Sequence, residues 1–97
     1  MNRASILEVL EQHRDVIATR FDAPALALFG SAARDEMRID SDVDILVDFD
    51  GPTTFDRYFD LKDYLEKILG RPVDLVTRKG LKPRALKHVE RDMIRVA

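Results

Sequence analysis

Cysteine is absent from the 97-residue sequence, which removes a disulfide framework, a thiolate nucleophile and a Cys-type zinc site together. No run approaches the roughly 18 apolar residues of a membrane span, and no signal-peptide core opens the chain. A cytoplasmic protein with no membrane partner is therefore expected. No Gly-x-x-x-x-Gly-Lys occurs, so a Walker phosphate loop is excluded. Basic and aromatic residues do not interleave as they do on nucleic-acid platforms, and direct nucleic-acid binding is not expected. Repeats, low-complexity stretches and linkers are also missing, so residues 1–97 are read as one domain, near the lower end of single-domain size. An enzyme this small has little room for a separate acceptor domain. A second molecule would have to supply much of the acceptor site.

What is present is unevenly charged. Residues 1–70 carry eight basic and fifteen acidic side chains, a net of −7, whereas residues 71–97 carry eight and three, a net of +5. This polarity suits a cation-binding acidic cluster followed by a basic segment, and it equally suits a solvated basic helix face. A first helix is expected from about Ser5 to Arg20, with Ile6, Leu10, His13 and Ile17 at helical spacing and a capping box formed by Ser5 and Glu8. Ala25–Phe29 reads as a short buried strand, Val43–Phe49 as a second and Val73–Thr77 as a third. Between the last two, Phe55–Leu69 reads as a long amphipathic helix closed by Gly70. Pro83 opens a final helix containing Leu86 and Val89, and Met93–Val96 adds a short edge strand. The fold class is α/β (α+β), a small mixed sheet flanked by helices.

Side chains alternate between the faces of a strand, so Asp42 and Asp44 project from one side while Val43, Ile45, Val47 and Phe49 enter the core. Two carboxylates held side by side raise each other's pKa unless a cation lies between them. Mg²⁺ is the natural candidate, since it takes hard oxygen ligands and shares its shell with water and phosphates. Asp74, a lone acid between Val73 and Leu75, completes a three-carboxylate site if the second and third strands are neighbours. A bare Asp-x-Asp is more often a solvated strand entry. A calcium loop beginning at Asp40 is rejected, because its sixth position is Ile45 and its twelfth Gly51. Gly30-Ser31 ends the first strand, where a glycine allows close backbone approach and Ser31 can offer a hydroxyl to a phosphate. Gly-Ser alone is a common turn.

Together these residues read Gly30-Ser31, ten residues, Asp42-Val43-Asp44, and Asp74 on a later strand. The pattern resembles the signature of the DNA-polymerase-β-type nucleotidyltransferase superfamily. The fuller string GSAARDEMRIDSDVDILVDF is similar to the minimal nucleotidyltransferases, the MNT antitoxins paired with HEPN toxins. The resemblance implies a nucleotidyltransferase fold, with Asp42, Asp44 and Asp74 as metal ligands and catalytic residues. Asp74 would help to deprotonate the acceptor, and Gly30, Ser31 and Arg34 would bind the nucleotide. Arg38 is a second candidate for neutralising phosphate. It further implies Mg²⁺ as cofactor, ATP as donor and a HEPN ribonuclease as partner in a hetero-oligomer, silenced by AMP on a tyrosine. Two other expectations stand beside it: a binding module that covers the toxin with Lys82, Arg84, Lys87, Arg91 and Arg95, and a transferase for a small-molecule acceptor. His13, His88, Tyr58 and Phe59 are read as packing or surface residues, since neither histidine has a metal-ligand partner at suitable spacing.

Overall fold

The computed structural model describes all residues, 1–97. Its elements are α1 (Arg3–Gln12), α2 (Arg14–Arg20), β1 (Ala25–Phe29), α3 (Gly30–Ala33), β2 (Val43–Asp48), α4 (Phe55–Leu69), β3 (Val73–Thr77), a 3-10 turn (Arg78–Gly80), α5 (Pro83–Asp92) and β4 (Ile94–Arg95). The expected first helix is divided in two. Its cap is Asn2, whose side chain accepts from the Ser5 N–H at 2.9 Å while the Ser5 hydroxyl accepts from the Asn2 N–H at 3.0 Å. Ser5 thus sits three residues inside the helix, and Glu8 takes no part in the cap. The break falls at His13, whose Nδ1 donates to the Val9 carbonyl at 2.8 Å. That carbonyl is the one a continuing helix would offer to the His13 backbone N–H.

α4 follows its sequence signals closely. The Thr54 side chain accepts from Arg57 N–H, and Gly70 closes the helix with φ 66° while its N–H bonds the Glu66 carbonyl at 2.8 Å. Only glycine takes that left-handed cap without steric cost. Leu61, Leu65 and Leu69 face inward.

The sheet order is β3-β2-β1-β4, with β2 and β3 parallel and both β1 pairings antiparallel. One face carries the core: Leu26, Leu28, Val43, Ile45, Val47, Val73 and Leu75 meet Ile6, Leu10 and Ile17 of α1 and α2 and the leucines of α4. Alternation then turns Asp44 and Asp74 to the opposite face. Phe49 is buried as expected but lies one residue beyond β2.

β3 is an edge strand, and α4 covers part of its free side. Glu66 accepts from the Val73 N–H at 2.9 Å, and the Tyr58 hydroxyl donates to the Leu75 carbonyl at 2.6 Å. Tyr58 therefore packs as expected, whereas Phe59 is exposed, tilted against Phe55 with ring centroids 4.6 Å apart. The opposite edge is β4, two residues long. No helix is long and apolar enough to cross a membrane.

Candidate active site

The parallel pairing of β2 and β3 places Asp44 directly opposite Asp74. On its other side, Asp44 lies opposite Phe29, the last residue of β1, so the chain turns at Gly30 over the Asp44 carboxylate. Gly30 has φ +67°, and a Cβ built on it would fall on Asp44 Oδ2 and 3.0 Å from its Cγ. Two independent constraints thus exclude a side chain there, the left-handed backbone and the carboxylate beneath it. Gly30 and Ser31 open the one-turn helix α3, whose Ala32 and Ala33 are small enough to bury against the sheet.

Asp44 titrates unusually. Its pKa is raised from the ordinary 3.8 to about 6, first by burial and then by the negative charges of Asp74 and Asp42. Arg34 acts in the opposite direction, and a side-chain hydrogen bond to Asp74 adds to the upward shift. The protonated Asp44 carboxyl donates in that bond. Acidic side chains that oppose each other's ionisation favour positive charge placed beside them. All donors here are hard oxygens, the set that Mg²⁺ takes, so these residues fit the cation that such a family implies. No three acidic or histidine side chains close around one common point, and the units available to a cation are the pairs Asp42–Asp44 and Asp44–Asp74.

Arg34 does reach the electrostatics of Asp44, but its exposed guanidinium also pairs with Asp92 of α5 at 3.3 Å and with Glu36 at 3.6 Å. Arg38 is exposed, and its backbone carbonyl accepts from Arg71. His13 lies edge-on to Tyr64, with ring centroids 5.8 Å apart, and His88 is exposed on α5. Neither histidine belongs to the site.

Arg71 is the residue that sequence reasoning passed over. Its Nη2 donates to the carbonyls of Arg38, Ile39 and Ser41 at 2.9, 3.0 and 3.0 Å, holding the turn that leads into Asp42. The targets are backbone oxygens, which leave no side-chain pattern to read. A lone arginine before a proline gave no other signal.

Residues 10–96 match the model of the nucleotidyltransferase domain family. The chain belongs to this family. As a nucleotidyltransferase it is 40 % identical over 91 residues to protein adenylyltransferase MntA of Thermococcus cleftensis, spanning 94 % of this chain and 92 % of that protein. It is 42 % identical over 96 residues to MJ1379 of Methanocaldococcus jannaschii, a protein named for the same activity, with 96 % of each chain covered. Among solved structures, one named for a minimal nucleotidyltransferase superposes with TM-score 0.83 at 37 % identity, covering 97 % of this chain and 95 % of that one. The structure of tri-AMPylated Shewanella oneidensis HEPN toxin in complex with MNT antitoxin contains a chain of the same fold, with TM-score 0.69 at 18 % identity over 94 % of this chain and 71 % of that one. The nucleotidyltransferase resemblance read from Gly30-Ser31 and the three aspartates is borne out.

Proposed function

We propose that this nucleotidyltransferase is a protein adenylyltransferase antitoxin, moving AMP from ATP to a tyrosine of a HEPN-type ribonuclease partner. The observation that carries the chemistry is the in-register pair Asp44–Asp74 beneath Gly30, with Asp44 held above the usual carboxylate range by burial and by its acidic neighbours. Support for a protein acceptor comes from the adenylyltransferase relative that matches nearly the whole chain, and support for a HEPN partner from the fold shared with a toxin–antitoxin complex.

In this reading the tyrosine oxygen attacks the α-phosphorus of ATP. A new P–O bond forms, the bond to the β-phosphate oxygen breaks, and pyrophosphate leaves with its electron pair. Mg²⁺ bound by Asp42 and Asp44, with Asp74 toward the acceptor side, would supply positive charge for the attacking and leaving oxygens. Asp74, exposed and opposite Asp44, would accept the proton of the tyrosine hydroxyl in this reading. Gly30 lets the backbone of α3 approach the phosphates closely, Ser31 offers a hydroxyl to them, and Arg34 neutralises phosphate charge after leaving its surface partners. An added AMP beside an RNA-binding site blocks substrate by charge and bulk.

The test is intact-mass spectrometry of the ribonuclease after incubation with this protein, Mg²⁺ and ATP. Mass gains in AMP units are expected, and none with the Asp42→Ala, Asp44→Ala double variant. A stable complex without any mass gain would sink the catalytic reading in favour of an antitoxin that covers its toxin. Transfer to a small molecule without the ribonuclease would point instead to a different acceptor.

A further inference from the structure

Asp42 lies just ahead of β2, in a position where no ladder hydrogen bond fixes it. Its two flanks are nevertheless held, and by two consecutive residues of one distant segment. On the N-terminal side, Arg71 Nη2 donates to Ser41 O at 3.0 Å. On the C-terminal side, the Val43 N–H donates to Pro72 O at 2.9 Å. The turn ahead of Asp42 is closed on itself by two further bonds. Ser41 N–H donates to Arg38 O at 3.1 Å, and Arg38 N–H donates to Ser41 Oγ at 2.9 Å. Arg71 seals that turn from outside by also engaging Arg38 O and Ile39 O.

Two acidic residues, Asp40 and Asp42, flank the Ser41 carbonyl that Arg71 engages, yet the guanidinium is bonded to carbonyls and forms no ion pair. All three bonds leave from Nη2, which carries two protons, so the carbonyls of Arg38, Ile39 and Ser41 converge on one nitrogen held in place by the planar guanidinium. The segment it belongs to leads directly into β3, which carries Asp74. One side chain therefore joins the turn before Asp42 to the strand of Asp74.

We propose that Arg71 is a positioning residue for the Asp42 carboxylate, setting its place beside Asp44 so that the pair can take a divalent cation. This rests on the reading of Asp42 as a ligand in the proposed transfer reaction. The role has a sign that distinguishes it from simple electrostatics. A positive guanidinium near a cation site repels the cation, so its removal alone would tighten cation binding. Removal of a positioning group loosens it, by roughly 10- to 100-fold for residues that orient metal ligands.

The experiment uses the full chain with a non-hydrolysable ATP analogue and Mn²⁺, bound metal being read by electron paramagnetic resonance. No acceptor protein is needed. Arg71→Ala is expected to weaken Mn²⁺ binding by roughly 10-fold or more, and Arg71→Lys, which keeps a charged donor but not the planar group that places it, to weaken it by less. Hydrogen exchange at the Ser41 and Val43 amides is expected to accelerate in both variants, while amides of α4 remain protected, which separates local loosening from unfolding. In an Asp42→Ala background, Arg71→Ala is expected to add nothing further. If Asp42→Ala weakens Mn²⁺ binding and Arg71→Ala leaves it unchanged or tightens it, the positioning role is overturned and the transfer reading stands. If Asp42→Ala itself has no effect on Mn²⁺ binding, the reading of the site falls and the inference falls with it.

Discussion

Replacing Asp44 by asparagine alters the charge of the site with almost no change of shape, and its amide can still donate to Asp74. In the wild type, the folded chain takes up the Asp44 proton at a pH of about 6, against 3.8 for an unperturbed carboxyl. Between those values the folded state holds one more proton than the unfolded state, so stability falls as pH rises from about 4 to about 6 and is flat above. Every tenfold change in proton affinity is worth about 1.4 kcal/mol, which gives roughly 3 kcal/mol here without screening. Asp44 is only partly buried, and solvent screening reduces this to roughly 1 kcal/mol. Asp44→Asn removes the cost. In EDTA at pH 7.5 the variant is expected to melt about 4–8 °C above the wild type, the range for 1 kcal/mol in a domain this size. The advantage should shrink toward pH 4, where both proteins carry a neutral group at this position. Thermal melts across pH 4–8 read the difference directly, and titrating groups remote from Asp44 cancel in it. Equal melting at pH 7.5, or an advantage that grows with acidity, would refute the reasoning. The same variant should lose nucleotidyl transfer, since the charge that costs stability is the charge proposed to hold the cation.

Gly30→Ala is expected to destabilise by about 2–4 kcal/mol in urea unfolding, combining a left-handed backbone with a Cβ driven onto Asp44; a loss under about 0.5 kcal/mol would mean the turn relaxes freely. Leu65→Ala, at a fully buried site between α4 and the sheet, should cost about 3–5 kcal/mol by the same assay. Tyr58→Phe leaves the Leu75 carbonyl without its partner and should cost about 1–2 kcal/mol, with faster proteolysis near β3 as a second readout.

The parts of this molecule that were legible in sequence are those with local causes. β1 and β3 begin and end where their apolar runs do, α4 is closed by its glycine, and α5 starts at Pro83. The break at His13 was not legible, because a side chain competing for the Val9 carbonyl looks in sequence like any other residue on a helical stripe. The family was readable from Gly30-Ser31, Asp42, Asp44 and Asp74, whereas the mutual arrangement of these residues was not. That Asp44 faces Asp74 in register follows from a parallel pairing of strands separated by a long helix. That Gly30 is required by Asp44, and not merely by its turn, follows from the antiparallel pairing on the other side. Arg71 was invisible for the same reason: its partners are main-chain oxygens at least 30 positions away.

The two bonds that α4 makes to the free side of β3 bear on how the molecule behaves in company. An apolar strand at the rim of a sheet is a template on which another chain can crystallise a further strand, the first event in fibre growth. Here Glu66 and Tyr58 already occupy the Val73 N–H and the Leu75 C=O, two of the groups an incoming chain would need. At the other rim β4 offers only two residues, too short a stretch to seed growth. Contact with another polypeptide through backbone adhesion at either rim is thereby disfavoured, and any encounter is left to side chains.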